Sequence, residues 1–192
     1  AIATIYSVYR DVSIDSYYGE MASVINYPIS NTSWAAPQAT DAGYQIAFSV
    51  DVNGDPIYTS KMSADERYEA AKQAALGYLE AAGYTVEDGK VTAAPAGASL
   101  EYEVMIPANG EGDHPAFMIL TEASKALADI GMKLIVTDMT DSSALWDSLD
   151  AGEVDMWAAA WGATVDPDMY QVYHSSNQTG SNHYRIADTE LD

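Results

Sequence analysis

The sequence predicts an α/β fold built on a parallel β-α-β-α-β core. Three apolar segments follow residue 100: the first alternates from Leu100 to Ile106, and the last is almost wholly apolar. Between them lie two stretches with helical spacing, and these end at Gly131 and Gly152. Strands joined through helices by short links form a right-handed parallel sheet that is covered on both faces. We therefore expect residues 100–161 to form one β-α-β-α-β unit.

A capping box begins the helix that precedes this core. Ser63 is followed three residues later by Glu66, and apolar residues then recur at helical spacing until Gly83. A Ser-x-x-Glu sequence satisfies free N–H groups at a helix start, and a glycine past the last turn ends the helix. Asp141 is expected to cap the short helix before the third strand. Residues 63–192 are thus predicted to be a helix plus the β-α-β-α-β core.

The first part of the chain, residues 1–62, is predicted to be a helical and irregular segment followed by a β-hairpin. Its first helix has an apolar stripe, and Asp11 is expected to start a second short helix that ends at Gly19. The stripe consists of Ile2, Ile5, Tyr6 and Tyr9.

A hairpin is predicted after the irregular residues 22–42. Apolar residues alternate over 44–50, and Asn53-Gly54 is a typical hairpin turn. With these parts together, residues 1–192 are predicted to form one α/β lobe.

Charge and cysteine content exclude several classes of protein. The chain has 8 basic and 29 acidic residues, a formal net charge of −21, and no cysteine. Such a charge repels phosphate backbones, so no nucleic-acid partner is expected. No apolar run approaches the roughly 20 residues of a membrane helix, so no direct membrane insertion is expected.

No catalytic residue, cofactor or metal site is predicted. The three histidines, His114, His174 and His183, have no metal-ligand spacing, and no nucleophile or phosphate-binding motif is present. The alternative is a secreted carbohydrate-active enzyme or a sugar-binding module, since Asp166 and Asp168 could form a carboxylate pair near aromatic rings. Residues two apart at a helix start point in different directions, which disfavours the enzyme.

The end of the third strand is the predicted ligand site. Ligands of parallel sheets bind beyond the carboxyl ends of the strands, and Trp161, Gly162 and Ala163 lie where this strand ends. Gly162 leaves room for close approach of a ligand or a backbone. Trp161 is equally consistent with packing and with ligand contact. Trp34 either lines a cleft or fills a gap.

Two further tryptophans are predicted to belong to the core. Trp157 alternates with Trp161 along one strand, and Trp146 lies on the short helix before that strand.

Four segments in order resemble the extracytoplasmic solute-binding proteins of peptide-type ABC transporters, the oligopeptide and dipeptide binders. The segments are SVYRDVSIDSYYG, YEAAKQAALGYLEAAGYTVEDGKV, KALADIGMKLIV and WDSLDAGEVDMWAAAWGATVDPDMYQVYHSS. The resemblance covers essentially the whole chain. It implies a lobe similar to the type II periplasmic-binding-protein fold, here most of a second lobe that lacks the first lobe, the signal peptide and the lipidated cysteine.

The resemblance also implies a function of binding without catalysis. Members of the family capture an extended peptide between two lobes that close about a hinge, and deliver it to a membrane permease. The expected location is the extracellular or periplasmic face of a bacterial membrane, with a lipid anchor on the full-length protein. The expected partners are a peptide or similar small solute and the ABC permease.

The family's ammonium-binding aspartate follows the Trp-Gly-Ala corner, but Thr164 occupies that position here. Asp166 is the candidate replacement, unless the ligand presents no free amine. The sequence favours a helix N-cap at Asp166, with Pro167 at the first helical position, over ligand contact. The ligand-contact residues predicted from the strand end and the resemblance are Trp161, Gly162, Ala163, Thr164, Asp166 and Trp34.

Overall fold

The computed structural model describes residues 1–162, 167–176 and 182–192. The helices are α1 (Ile2–Tyr18), α2 (Ala64–Ala81), α3 (Pro115–Asp129), α4 (Ser142–Ala151) and α5 (Tyr170–Tyr173), with a 3-10 turn at Gly19–Met21. The strands are β1 (Thr85–Glu87), β2 (Lys90–Ala93), β3 (Glu101–Ile106), β4 (Lys133–Asp138) and β5 (Met156–Trp157).

The central sheet has the order β4-β3-β5, and both pairs of strands are parallel. The β4 pairing runs from Glu101 opposite Lys133 to Ile106 opposite Asp138. Because α3 and α4 connect these strands, the predicted β-α-β-α-β unit is confirmed.

The third strand is shorter than the predicted segment over 154–161. Its register places Met105 opposite Trp157, so Ala158 lies level with the last residue of β3. The N–H of Ala158 still donates to the carbonyl of Met105 at 2.9 Å. Pro107 follows β3 and has no N–H to continue the ladder, so β5 ends there.

The helix ends predicted at Ser63, Asp141 and Gly152 are confirmed. Ser63 accepts from the N–H of Glu66 at 3.3 Å, and Glu66 Oε2 accepts from the N–H of Ser63 at 2.7 Å. Asp141 Oδ1 accepts from the N–H of Ser143 at 2.9 Å. Gly152 ends α4 in a left-handed conformation, with φ +75°. The cap of α3 was not predicted: His114 Nδ1 accepts from the N–H of Ala116 at 3.1 Å.

The first helix is longer than predicted, because α1 runs unbroken through Asp11. The carboxylate of Asp11 accepts from Arg10 at 2.8 and 3.0 Å, and Arg67 lies 3.8 Å away. The carboxylate of Asp11 is therefore paired with guanidinium groups. Because α1 continues through Asp11, the backbone N–H groups after it lie inside the helix and need no cap. The prediction of a second helix starting at Asp11 is wrong.

One hydrophobic core joins α1 to the sheet and its helices. Ile5 is fully buried in it, as is Ile106 of β3, so α1 shares this core. Other members of the core come from α2, β2, α3 and β4: Ala75, Leu79, Val91, Leu120, Leu127 and Leu134.

The predicted hairpin around Asn53-Gly54 is reduced to a turn. A single bridge joins Val50 and Pro56, and no strand forms over 44–50. Phe48 interrupts the alternation with a left-handed φ of +56°, which an extended strand does not accommodate.

The chain forms its hairpin at β1 and β2 instead. Thr85–Glu87 pairs antiparallel with Lys90–Ala93 through Asp88 and Gly89, which both have positive φ. This Asp-Gly pair is the turn that short hairpins prefer.

Candidate functional site

Two of the predicted strand-end residues, Trp161 and Gly162, line a cleft of about 580 Å³. One wall is the irregular segment 22–31, and the other is formed by residues of 161–162 and 167–173. The lining residues are Ala22, Ser23, Ile25, Pro28, Ile29, Ser30, Asn31, Trp161, Gly162, Pro167, Asp168, Met169, Val172 and Tyr173.

Trp161 separates this cleft from a second cavity of about 690 Å³. That cavity lies beside β5 and the first turns of α1, and Trp161 lines both spaces. The side chain of Trp161 is 46% exposed, although it is apolar. An aromatic ring between two cavities is well placed to contact a bound molecule.

A cluster of aromatic rings supports the cleft from the protein side. The ring of Trp146 lies 6.3 Å from Trp161 and 6.1 Å from Trp157, between centroids. Tyr184 stacks on Tyr173 at 5.2 Å with an interplanar angle of 20°, and lies 5.4 Å from Trp157. Trp146 and Trp157 are half-buried within this cluster and are not members of the hydrophobic core, so the prediction that they belong to the core is wrong.

The polar groups of the cleft are few. Asp168 carries the one formal charge among the described lining residues, and its Oδ1 accepts from the N–H of Tyr170 at 2.9 Å. Asn31 Nδ2 donates to Ser23 Oγ at 2.7 Å on the opposite wall. Burial and the nearby Tyr184 raise the pKa of Tyr173 to about 12, so this phenol is neutral at physiological pH.

Of the predicted ligand-contact residues, Trp161 and Gly162 line the cleft. An added Cβ on Gly162 meets no atom of the described residues within 4 Å, so no described side chain fills the space beside it. Ala163, Thr164 and Asp166 lie outside the described residues.

Trp34 is not among the residues that line this cleft, and its side chain is 86% exposed. The nearby helix α5 begins at Tyr170, so Pro167 is not its first residue. The residue at the N-cap position of α5 is Met169, which makes no side-chain cap hydrogen bond, so the predicted cap at Asp166 with Pro167 in the first turn is wrong. Asp168, one residue before Met169, accepts from the N–H of Tyr170.

Several lining residues were missed by sequence reasoning. Tyr173 and Met169 reach the cleft from the segment after the strand end, and Ile25 and Ile29 reach it from the irregular segment. The i, i+3 spacing of Tyr170 and Tyr173 was the available signal for an aromatic helix face. No local pattern indicated that residues 22–31 form the opposite wall.

A serine, a histidine and an aspartate meet near α5 without forming a catalytic relay. Ser176 Oγ lies 2.9 Å from Nδ1 of His174, and Asp192 Oδ1 lies 3.9 Å from the same nitrogen. A nucleophile, base and carboxylate relay uses the two ring nitrogens separately. Within the described residues, no group of three or more His, Asp or Glu side chains could hold a metal ion.

A family model decides the classification. Residues 3–183 match the model described as "Bacterial extracellular solute-binding proteins, family 5 Middle". The chain belongs to this family. The resemblance seen in the sequence is therefore confirmed, and the carbohydrate-active alternative gains no support from the match.

Solved structures of similar fold include two complexes with small ligands and one tripeptide-binding protein. The crystal structure of NikZ from Campylobacter jejuni in complex with Ni(L-His) has a TM-score of 0.61 at 19% identity, over 98% of this chain and 33% of that one. MppA, a periplasmic murein tripeptide binding protein in an unliganded open form, has a TM-score of 0.54 at 14% identity, over 97% and 30%.

NikA from Brucella suis in complex with Fe(III)-EDTA has a TM-score of 0.52 at 17% identity, over 87% of this chain and 29% of that one. This family 5 chain thus spans about a third of the length of the solved structures it resembles. No curated protein matches its sequence. Across the described part of the chain, no helix has both the length and the apolar character needed to cross a membrane.

Proposed function

We propose that this family 5 chain is part of the solute-binding component of an ABC importer. The observation that carries the proposal is the cleft lined by Trp161 and Gly162, which lies just beyond the end of β5 in a chain of this family. In this function an extended peptide or a similar small solute is captured between two lobes and delivered to a membrane permease. The location that follows is extracellular or periplasmic, with a lipid anchor on the full-length protein.

Binding without catalysis is the role that the chemistry of the cleft supports. Its lining is mainly apolar and aromatic, with Asp168 as the one charged side chain among the described residues. Apolar walls with a few polar groups suit the retention of a solute. The Ser176–His174–Asp192 group lacks the geometry of a nucleophilic relay.

The kind of solute is inferred from the cleft and from the ligands of similar structures. The similar solved structures are a murein tripeptide-binding protein and complexes with Ni(L-His) and Fe(III)-EDTA. We infer a ligand of about this size, with an apolar part against Trp161. The other residues proposed for contact are Gly162, Ala163, Thr164 and Asp166, with Trp34 as a further candidate.

Mass spectrometry of the small molecules that co-purify with the full-length protein tests this function. We expect a peptide or another small solute at near-stoichiometric amount, and Trp161→Ala should lose it. Trp34→Ala separates the two tryptophans, since retention of the solute by that variant removes Trp34 from the site. A full-length protein that retains no solute and binds no peptide in calorimetric titration would falsify the proposal.

A further inference from the structure

Arg185 closes the carboxyl end of α4 from a distant part of the chain. Its Nη2 donates to the carbonyl of Leu149 at 2.9 Å and to the carbonyl of Asp150 at 2.6 Å. The last carbonyls of a helix have no partner within the helix and carry the negative end of its dipole. A guanidinium group is therefore a favourable cap, and it fixes the segment around residue 185 to α4.

Gly152 provides the space for this guanidinium. A Cβ added to Gly152 would lie 2.1 Å from Nη1 of Arg185, so only a glycine admits the group in this position. Arg185 itself has a φ of +54°, which is uncommon for a residue other than glycine. The hydrogen bonds to α4 offset the unfavourable backbone conformation of Arg185.

The two residues before Arg185 contact the aromatic cluster. The ring of His183 lies 5.1 Å from Trp146, and its Nδ1 lies 3.5 Å from Asp150 Oδ1. Tyr184 stacks on Tyr173 and packs against Trp157. His183 thus packs against α4 and β5, and Tyr184 packs between β5 and α5.

Each of the two aromatic residues among the described lining residues of the cleft is supported by one of these two rings. Trp161 rests on Trp146, which in turn contacts His183. Tyr173, the other aromatic residue, stacks directly on Tyr184. Both belong to the wall that faces segment 22–31, so the shape of that wall depends on where the segment next to Arg185 is fixed.

We propose that Arg185 is a positioning residue of the Trp161 cleft. By binding the end of α4, it holds His183 and Tyr184 against Trp146 and Tyr173, and so sets the spacing of Trp161 and Tyr173 on their wall of the cleft. The inference rests on the proposed function, because it assumes that a solute binds against those two rings. Arg185 acts here through other side chains and does not itself line the cleft.

The test compares three variants of the full-length protein. Arg185→Asn removes the guanidinium and keeps a residue that tolerates a left-handed backbone. Arg185→Lys restores a cationic donor to the same carbonyls. Lys125→Gln is the matched control for the loss of one positive charge, since Lys125 is exposed on α3 and pairs with Glu122 at 2.6 Å.

Two measurements are made on each variant. Near-ultraviolet circular dichroism and acrylamide quenching of tryptophan fluorescence report on the aromatic cluster without any ligand. Calorimetric titration with a mixed tripeptide library then reports on binding. If Arg185→Asn does not fold, as judged by far-ultraviolet circular dichroism, Arg185→Gln replaces it, because a glutamine can still donate one hydrogen bond.

We expect Arg185→Asn to change the near-ultraviolet spectrum, to increase quenching, and to weaken binding about tenfold, which corresponds to about 1.4 kcal/mol. Arg185→Lys should keep most of both properties, and Lys125→Gln should match the parent. An unchanged spectrum and unchanged quenching in Arg185→Asn overturn the inference, with or without a ligand. A changed spectrum with unchanged affinity also overturns it, because Arg185 would then be only structural. Absence of binding by the parent counts against the proposed function, and the optical comparison still decides the placement of the rings.

Discussion

Replacement of Gly131 by alanine should destabilise the protein much more than the same change at Gly83. Both glycines follow a helix and have nearly the same backbone, with φ +88° and +90°. An added Cβ on Gly131 would lie 2.4 Å from the carbonyl oxygen of Val91 in β2. On Gly83 the nearest atom, the Cβ of Pro95, is 3.5 Å away, an ordinary contact.

The two costs are estimated from these contacts. A left-handed conformation costs any residue other than glycine roughly 1–2 kcal/mol, so Gly83→Ala should lose about that amount. At Gly131, β2 must also move away from the end of α3. That movement breaks the 2.8 Å hydrogen bond from the N–H of Val91 to the carbonyl of Ile130, which is worth about 1 kcal/mol. It also loosens the packing of the buried Val91 side chain. Gly131→Ala should therefore lose about 3–4 kcal/mol.

Urea denaturation of both variants measures the difference in the free energy of unfolding, and thermal denaturation measures the difference in Tm. For a chain of this length each 1 kcal/mol corresponds to about 2–4 °C in Tm, so Gly131→Ala should melt about 10 °C below the parent. Gly83→Ala should melt about 4 °C below it. Equal losses would show that the backbone conformation alone matters, and that the end of α3 does not rest on β2 as described.

Three further predictions follow from single contacts. Gly162→Val should change the free energy of unfolding by less than about 0.5 kcal/mol, since no atom of the described residues lies within 4 Å of the added Cβ. The same variant should weaken solute binding, and a large fall in Tm would make this residue structural. Desolvation lowers the pKa of His114 in the folded protein. The stability that its neutral cap contributes is therefore fully present above the unfolded pKa of about 6.5, and it is lost as the pH falls through the folded pKa. His114→Asn, which keeps a cap, should flatten that part of the curve of stability against pH, and an unchanged curve contradicts the assignment. Asp138→Asn should lower the free energy of unfolding, measured by urea denaturation, by about 2 kcal/mol. The two carboxylate oxygens accept from the N–H groups of Ala108 and Gly112, and an amide has only one oxygen to accept either bond. An unchanged free energy would mean that the bonds are not formed.

The parts of the fold that were predictable depend on local patterns. The capping box at Ser63 and the glycine at 152 specify helix ends through contacts within a few residues, and both are confirmed. The parallel core follows from the order of apolar segments. The length of β5 was not predictable from its own sequence, because it is limited by Pro107 on the neighbouring strand.

The candidate site was predictable only in part for the same reason. Trp161 and Gly162 could be placed, since the carboxyl end of a parallel strand has a known position relative to the sheet. The opposite wall around Ile25 comes from an irregular segment with no periodic pattern. The role of Arg185 depends on a contact with α4 from 35 residues away along the chain, and no local pattern indicates such a contact.

Trp161 is the side chain of the cleft whose exposed apolar surface a bound molecule would cover. One side of its ring system is supported by Trp146, while 46% of its surface stays in contact with water. Covering an exposed area of this size on a tryptophan stabilises a complex by about 3 kcal/mol. Trp34 is even more exposed, yet it lines no part of the Trp161 cleft, so a small solute in that cleft would cover Trp161 and leave Trp34 uncovered. A ligand held at the end of β5 therefore gains apolar contact from a side chain that the fold already holds in place, and little further ordering of that side chain is required.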